Sequence, residues 1–168
     1  QMVGFRTLLS RAVEEDEGMI PLLVATRNIH KTEEIASILG EGYNVSDLTA
    51  FAEAPDVEET GCTFLENAEL KALAISSMTR SLVLADDSGL EVDALEGAPG
   101  IYSARYAGCG ASDSKNVKKL LSELSDRVGG DRKAHFRCVL CLIDTDGNES
   151  YHEGISRGVI ASGSFGSG

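Results

Sequence analysis

Short apolar runs alternate along this chain with stretches of helical periodicity, and that alternation points to an α/β sheet. Leu22-Leu23-Val24-Ala25 is a compact run of strand type. His30 to Leu39 follows as a helix, with Ile35, Ile38 and Leu39 on one face and Gly40 as its stop. A second helix is expected from Thr63 to about Met78, opened by Thr63 and Glu66 in the spacing of a capping box. Ser81 to Ala85 reads as a strand, and Asp113 to about Val128 as a third helix with Val117, Leu120, Leu121 and Leu124 at core spacing. Ala134 to Asp144 is a strand, and Asp146-Gly147 is a hairpin turn leading into another from Glu149. Helix-linked strands followed by a hairpin predict a sheet of mixed direction.

The 168 residues suit one domain with a genuine core, expected over residues 19–168. Residues 1–18 are expected to form a helical extension, with Phe5, Leu8, Leu9 and Ala12 at helical spacing. Fifteen Lys and Arg against 27 Asp and Glu leave a formal charge of −12, which argues against general binding to a nucleic acid backbone. A triphosphate remains admissible, because a divalent ion and a few local cations can hold it. No apolar run approaches the roughly 18–20 residues of a membrane span. No secretory pattern is visible, and the expectation is a cytoplasmic protein without a membrane partner. The four cysteines show no framework spacing. Cys138 and Cys141 form a C-x-x-C inside strand-like sequence, where an offset of three puts them on opposite faces, and core cysteines are expected there.

Four segments carry residues suited to chemistry. In ATRNIHK a strand enters a helix, where free amides and the positive end of the dipole suit an anion. Thr26 and Asn28 are caps or ligands there, and Lys31 is a phosphate partner or a solvated lysine. Asp56, Glu58, Glu59, Asp86 and Asp87 supply the hard oxygens a divalent cation takes. Asp86-Asp87-Ser88-Gly89 is expected just past a strand end, with one aspartate turned to a site and the other to structure. Thr63, Asn67 and Lys71 lie four apart, as either a phosphate-facing wall or a solvent face. GAPGIYSARY, residues 97–106, combines turn residues with Arg105. The histidines are scattered and receive no catalytic role.

In order, the chain shows T-x-N-x-x-K at 26–31, E-E-T-G-x-T-F-x-E-N-A-x-x-K-A at 58–72, ADDSGLEVDAL at 85–95 and GAPGIYSARY at 97–106. This series resembles the inosine triphosphate pyrophosphatase family. The resemblance runs from about Leu22 to about Ile160. It implies an elongated, two-lobed α/β fold with a central mixed β-sheet flanked by helices, in a homodimer. It also implies hydrolysis of deaminated purine nucleoside triphosphates to the monophosphate and pyrophosphate, with Mg²⁺ as cofactor. Glu59 and Asp87 would hold the metal, Asp87 would be the general base, and Asp86 the structural or second-metal alternative. Thr26, Asn28, Lys31 and Lys71 would bind the triphosphate, and Ser88 would touch the substrate. The family usually has a glycine where this chain has Arg27, and an arginine there adds a phosphate contact or crowds the loop. Gly163-Ser164-Phe165-Gly166 resembles the start of the family's Gly-Gly-Phe-Gly motif that grips the base, whose remaining residues are absent from this sequence. The alternative is a weakly active or inactive nucleotide-binding protein of the same fold.

Overall fold

The computed structural model describes residues 18–79, 81–126 and 132–163. The helix expected over 1–18 lies outside these residues except for Gly18, as does the terminal stretch from Ser164. Five strands form one sheet: β1 (Ile20–Val24), β2 (Tyr43–Asp47), β3 (Leu82–Val92), β4 (Lys133–Ile143) and β5 (Glu149–Val159), in the order β2-β1-β3-β4-β5. Three helices accompany them: α1 (Ile29–Leu39), α2 (Phe64–Ser76) and α3 (Asp113–Glu123). β1 runs parallel to β2 and β3. β4 and β5 are neighbours joined by a turn too short for a crossover, so they are antiparallel and the sheet is mixed. The turn is closed by Asp144, whose carboxylate accepts from the amides of Asp146 and Asn148 and from the Asn148 side chain.

Two boundaries and one strand differ from expectation. β3 does not end at Ala85 but continues to Val92, so Asp86 and Asp87 sit within the strand rather than past its end. Asp-Asp-Ser-Gly has low strand propensity, but this strand lies between β1 and β4 in the sheet, and the ladder overrides local preference. β2 carries no apolar run and was not expected; it forms by pairing along β1, from Ile20 opposite Tyr43 to Val24 opposite Asp47. α3 ends at Glu123, with Leu124 as its cap.

The chain divides into two compact units. The first contains residues up to Asp86 together with Val139–His152, and the second Asp87–Cys138 together with the residues from Glu153. In the first, strand register puts Leu22, Val24, Val45, Asp47, Leu82 and Leu84 on one face. Leu23, Val83 and Ala85 on the other face pack against Ala68, Ala72 and Ile75 of α2. Alanines at 68 and 72 let the helix approach closely, and burying Ile75 fully is worth about 1.5–3 kcal/mol. α1 lies against the opposite face, where Thr32 donates to Asp47 Oδ2 at 2.7 Å. Of the face that spacing assigned to the α1 core, Ile35 is half-buried and Ile38 stays 77% exposed.

In the second unit Val92, Leu120, Leu124 and Ala134 form the core, with Leu90, Leu95, Tyr106 and Ile160 packed against it. Asn116 of α3 is buried. It accepts from the Ala107 amide at 2.8 Å and donates to the Ala104 carbonyl at 3.0 Å, tying the 97–106 segment to the helix. Buried Arg132 donates to the carbonyls of Leu124, Ile160 and Ala161. The first of these lies at the negative end of α3, where a cation is favoured.

Cys141 is fully buried, and burial, followed by the nearby Glu149 and Glu69 carboxylates, pushes its thiol up to about 11. Cys62 and Cys109 are exposed. A thiol reagent at about pH 8 is therefore expected to label Cys62 and Cys109 on the order of 100-fold faster than Cys141, because the thiolate is the nucleophile. Peptide mapping of the labelled protein checks this, and Cys141 should match the others only after unfolding.

Candidate functional site

The turn between β1 and α1 is built by short polar side chains. Thr26 Oγ1 accepts from the Asn28 amide at 3.1 Å, and Asn28 Oδ1 accepts from the His30 amide at 3.0 Å, capping α1. Thr26 and Asn28 thus shape the turn themselves, and the Thr26 hydroxyl retains its hydrogen as a donor. In the first turn of α1, Lys31 Nζ donates to Asp86 Oδ2 at 2.6 Å. Asp86 is buried, so this cation lies against a carboxylate that water hardly reaches.

Arg27 turns away from the helix. Its Nε donates to Asp56 Oδ1 at 3.2 Å, and its two terminal nitrogens donate to the carbonyls of Leu48 at 3.0 Å and Ala54 at 2.7 Å. A guanidinium presents its donors in a rigid fork, which suits several acceptors at once. Beside it a cavity of about 110 Å³ opens, lined by Thr26, Arg27, Pro55, Asp56, Val57 and Lys71 among others.

Lys71 reaches this cavity from α2, and its Nζ donates to Glu59 Oε1 at 2.9 Å. Both side chains are largely shielded, at 17% and 28% exposure. Of the stripe Thr63, Asn67, Lys71, the first is exposed at the helix start while the other two are shielded from solvent. Thr63 caps α2 through the Glu66 amide at 3.1 Å, and Asn67 is fully buried with Oδ1 accepting from the Gly61 amide at 2.8 Å. Glu66 answers the cap one residue earlier than a standard box, by accepting from the Cys62 amide. These bonds fix the path of residues 59–63, and with it Glu59.

Asp86 and Asp87 follow each other in β3 and point to opposite faces, Asp87 with Val83 and Ala85. Asp87 is buried, and its Oδ1 accepts from the Ser88 amide at 3.0 Å. Ser88 is exposed. In the 97–106 segment Arg105 lies over the Tyr102 ring, 5.3 Å from its centre. Ser103 Oγ accepts from the Leu90 amide at 2.9 Å.

Sequence reading missed Asp47. Burial works to raise this carboxyl, but hydrogen bonds from Thr49 and Thr32 outweigh it and hold it below the usual carboxylate range. Asp47 thus fixes α1 to β2 and supports the turn that α1 begins from. Its only local signal is the Asp-x-Thr spacing to Thr49, common to many turns.

Among the described residues no three or more His, Cys, Asp and Glu side chains gather in one metal-sized cluster. The donor chemistry nevertheless fits a hard divalent ion, which in phosphate sites takes one or two carboxylates and completes its shell with water and phosphate oxygens. Glu59 is the donor beside the cavity, through its pair with Lys71.

A mixed sheet with helices on it, a polar strand-to-helix turn, and two lysines each paired with a carboxylate define an α/β protein with charged side chains gathered near its strand-to-helix turn and α2. The comparisons with known proteins narrow this class. The model of the Ham1 family matches residues 22–168. The chain belongs to the Ham1 family. It is 47% identical over 140 residues to a dITP/XTP pyrophosphatase of Exiguobacterium sibiricum, covering 83% of this chain and 71% of that protein. It is 48% identical over 151 residues to a dITP/XTP pyrophosphatase of Geobacter sulfurreducens, covering 89% and 76%. The solved structure of the Staphylococcus aureus Ham1 protein matches with a TM-score of 0.79 at 41% identity, covering 88% of this chain and 76% of that one.

Proposed function

We propose that this protein hydrolyses deaminated purine nucleoside triphosphates, such as dITP and XTP, to the monophosphate and pyrophosphate. Its relatives carry that activity in their names at 44–48% identity. The observation that carries the reading in this chain is the pair of ion pairs, Lys31 with Asp86 and Lys71 with Glu59. Each joins a cation of the kind phosphate recruits to a carboxylate of the kind a divalent ion recruits.

In this reading Thr26, Asn28, Lys31 and Lys71 hold the triphosphate, and Ser88 touches the substrate. Asp87 accepts the proton of a water that attacks the α-phosphorus. The bond from that phosphorus to the bridging oxygen breaks, and pyrophosphate leaves. Glu59 and Asp87 hold Mg²⁺, which when bound offsets the negative charge of the phosphates. A homodimer in the cytoplasm belongs to the same reading.

The test is product identity. Incubation with dITP or XTP and Mg²⁺ is expected to yield monophosphate and pyrophosphate in equal amounts, with dGTP a much poorer substrate. Release of orthophosphate instead would make this a phosphatase. Tight binding of the triphosphate without any product would make it a nucleotide-binding protein of the same fold.

A further inference from the structure

We propose that Arg27 is a positioning residue, which locks segment 48–56 to the β1–α1 turn and thereby sets Glu59 relative to Thr26 and Asn28. The inference rests on the pyrophosphatase reading for its effect on turnover, and on geometry alone for its effect on the segment.

The guanidinium bonds to three partners that lie 21, 27 and 29 residues further along the chain. Two of them are backbone carbonyls, so the bonds fix the course of the main chain rather than one side-chain rotamer. Leu48 and Ala54 bracket the start of a largely irregular stretch that runs to Thr63 and carries Glu59. At its far end that stretch is held by the Gly61 and Cys62 amides, bonded to Asn67 and Glu66 of α2. Arg27 anchors the near end, and Lys71 grips Glu59 between the two anchors. The second unit uses the same device, where Arg132 gathers three carbonyls.

The rival role for Arg27 is a direct phosphate contact. The two roles make different demands on the side chain. A phosphate contact needs charge, which lysine keeps. Three separated acceptors need the planar fork, which lysine lacks.

The experiment compares Arg27→Lys and Arg27→Ala with the unsubstituted chain. It reads amide hydrogen exchange over residues 48–60, kcat and KM for dITP, and binding of pyrophosphate. Melting temperature confirms that each variant is folded. Expected for both variants is faster exchange confined to this segment, and a kcat lower by on the order of 10- to 100-fold, the scale of a misplaced reacting group. KM and pyrophosphate affinity should stay within about threefold. A different pattern overturns the proposal: Arg27→Lys unchanged, Arg27→Ala weakening dITP and pyrophosphate equally, and exchange unaltered in both. Exchange and kinetics both unchanged would overturn it as well. If the unsubstituted chain releases no pyrophosphate, the functional reading fails, while exchange over 48–60 still decides whether Arg27 holds the segment.

Discussion

Replacing Asp87 by asparagine is expected to lower turnover of dITP by on the order of 10²- to 10⁴-fold, the range a positioned general base contributes. The fold should survive the change. Asp87 is buried and its Oδ1 accepts from the Ser88 amide at 3.0 Å, a bond the asparagine oxygen can also accept. Size and shape are kept, so the melting temperature should move little. What is lost is a group able to take a proton from water and offer a full negative charge to a cation. kcat should fall more than KM rises, since the proton transfer is lost outright while Glu59 and the lysines assigned to the triphosphate are unchanged. Pyrophosphate release by the purified variant measures the effect. A variant within about threefold of the unsubstituted chain would put the base elsewhere, with Asp86 the next residue to replace.

Gly61→Ala is expected to destabilise the protein by about 1–3 kcal/mol and to reduce turnover with it. A Cβ at this position would stand 2.7 Å from both Asn67 Oδ1 and Glu66 Cβ, and 3.0 Å from the Asn67 amide. Those atoms belong to the first turn of α2, which the Thr63 cap and the packing of Phe64 and Ala68 hold in place. The loop must therefore move away from the helix, at the expense of the 2.8 Å bond from the Gly61 amide to Asn67. Glu59, two residues earlier, moves with it. Gly42→Ala is the matched control, since nothing lies within 4 Å of its added methyl. It should fall within about 0.5 kcal/mol of the unsubstituted chain. Urea unfolding of both variants separates the local clash from a general intolerance of alanine.

Much of this architecture is legible locally. Asn28 and Thr63 announce the starts of α1 and α2 because a cap satisfies its own helix, within three residues of itself. The Asp146-Gly147 turn is legible for the same reason. β2 and the second half of β3 are not, because what makes them strands is a neighbour rather than their own residues. Tyr43–Asp47 has no apolar run, and Asp86–Gly89 is among the least strand-like stretches of the chain. The same division holds at the site. The order of the motifs brings Thr26, Lys31, Glu59, Lys71 and Asp87 forward as a set. The pairing of Lys31 with Asp86 spans 55 residues, and that of Lys71 with Glu59 spans 12. Arg27 is the sharpest case. Its place in T-x-N-x-x-K suggests a phosphate contact, yet its three partners lie far along the chain, where no local pattern can indicate them.

The two aspartates of β3 are separated by a single peptide bond, and alternation alone assigns them to opposite faces. This makes the strand behave like a reading frame. Substitutions between Leu82 and Ala85 alter packing by degrees, but losing one residue there would turn both aspartates to the other face at a stroke. The carboxylate now beside Lys31 would turn away, and its neighbour would take its place. In the surface turn at Gly108–Gly110, with no ladder to keep in phase, a length change carries no such penalty. Libraries that vary loop length can be directed there, whereas β3 admits changes of identity but not of count.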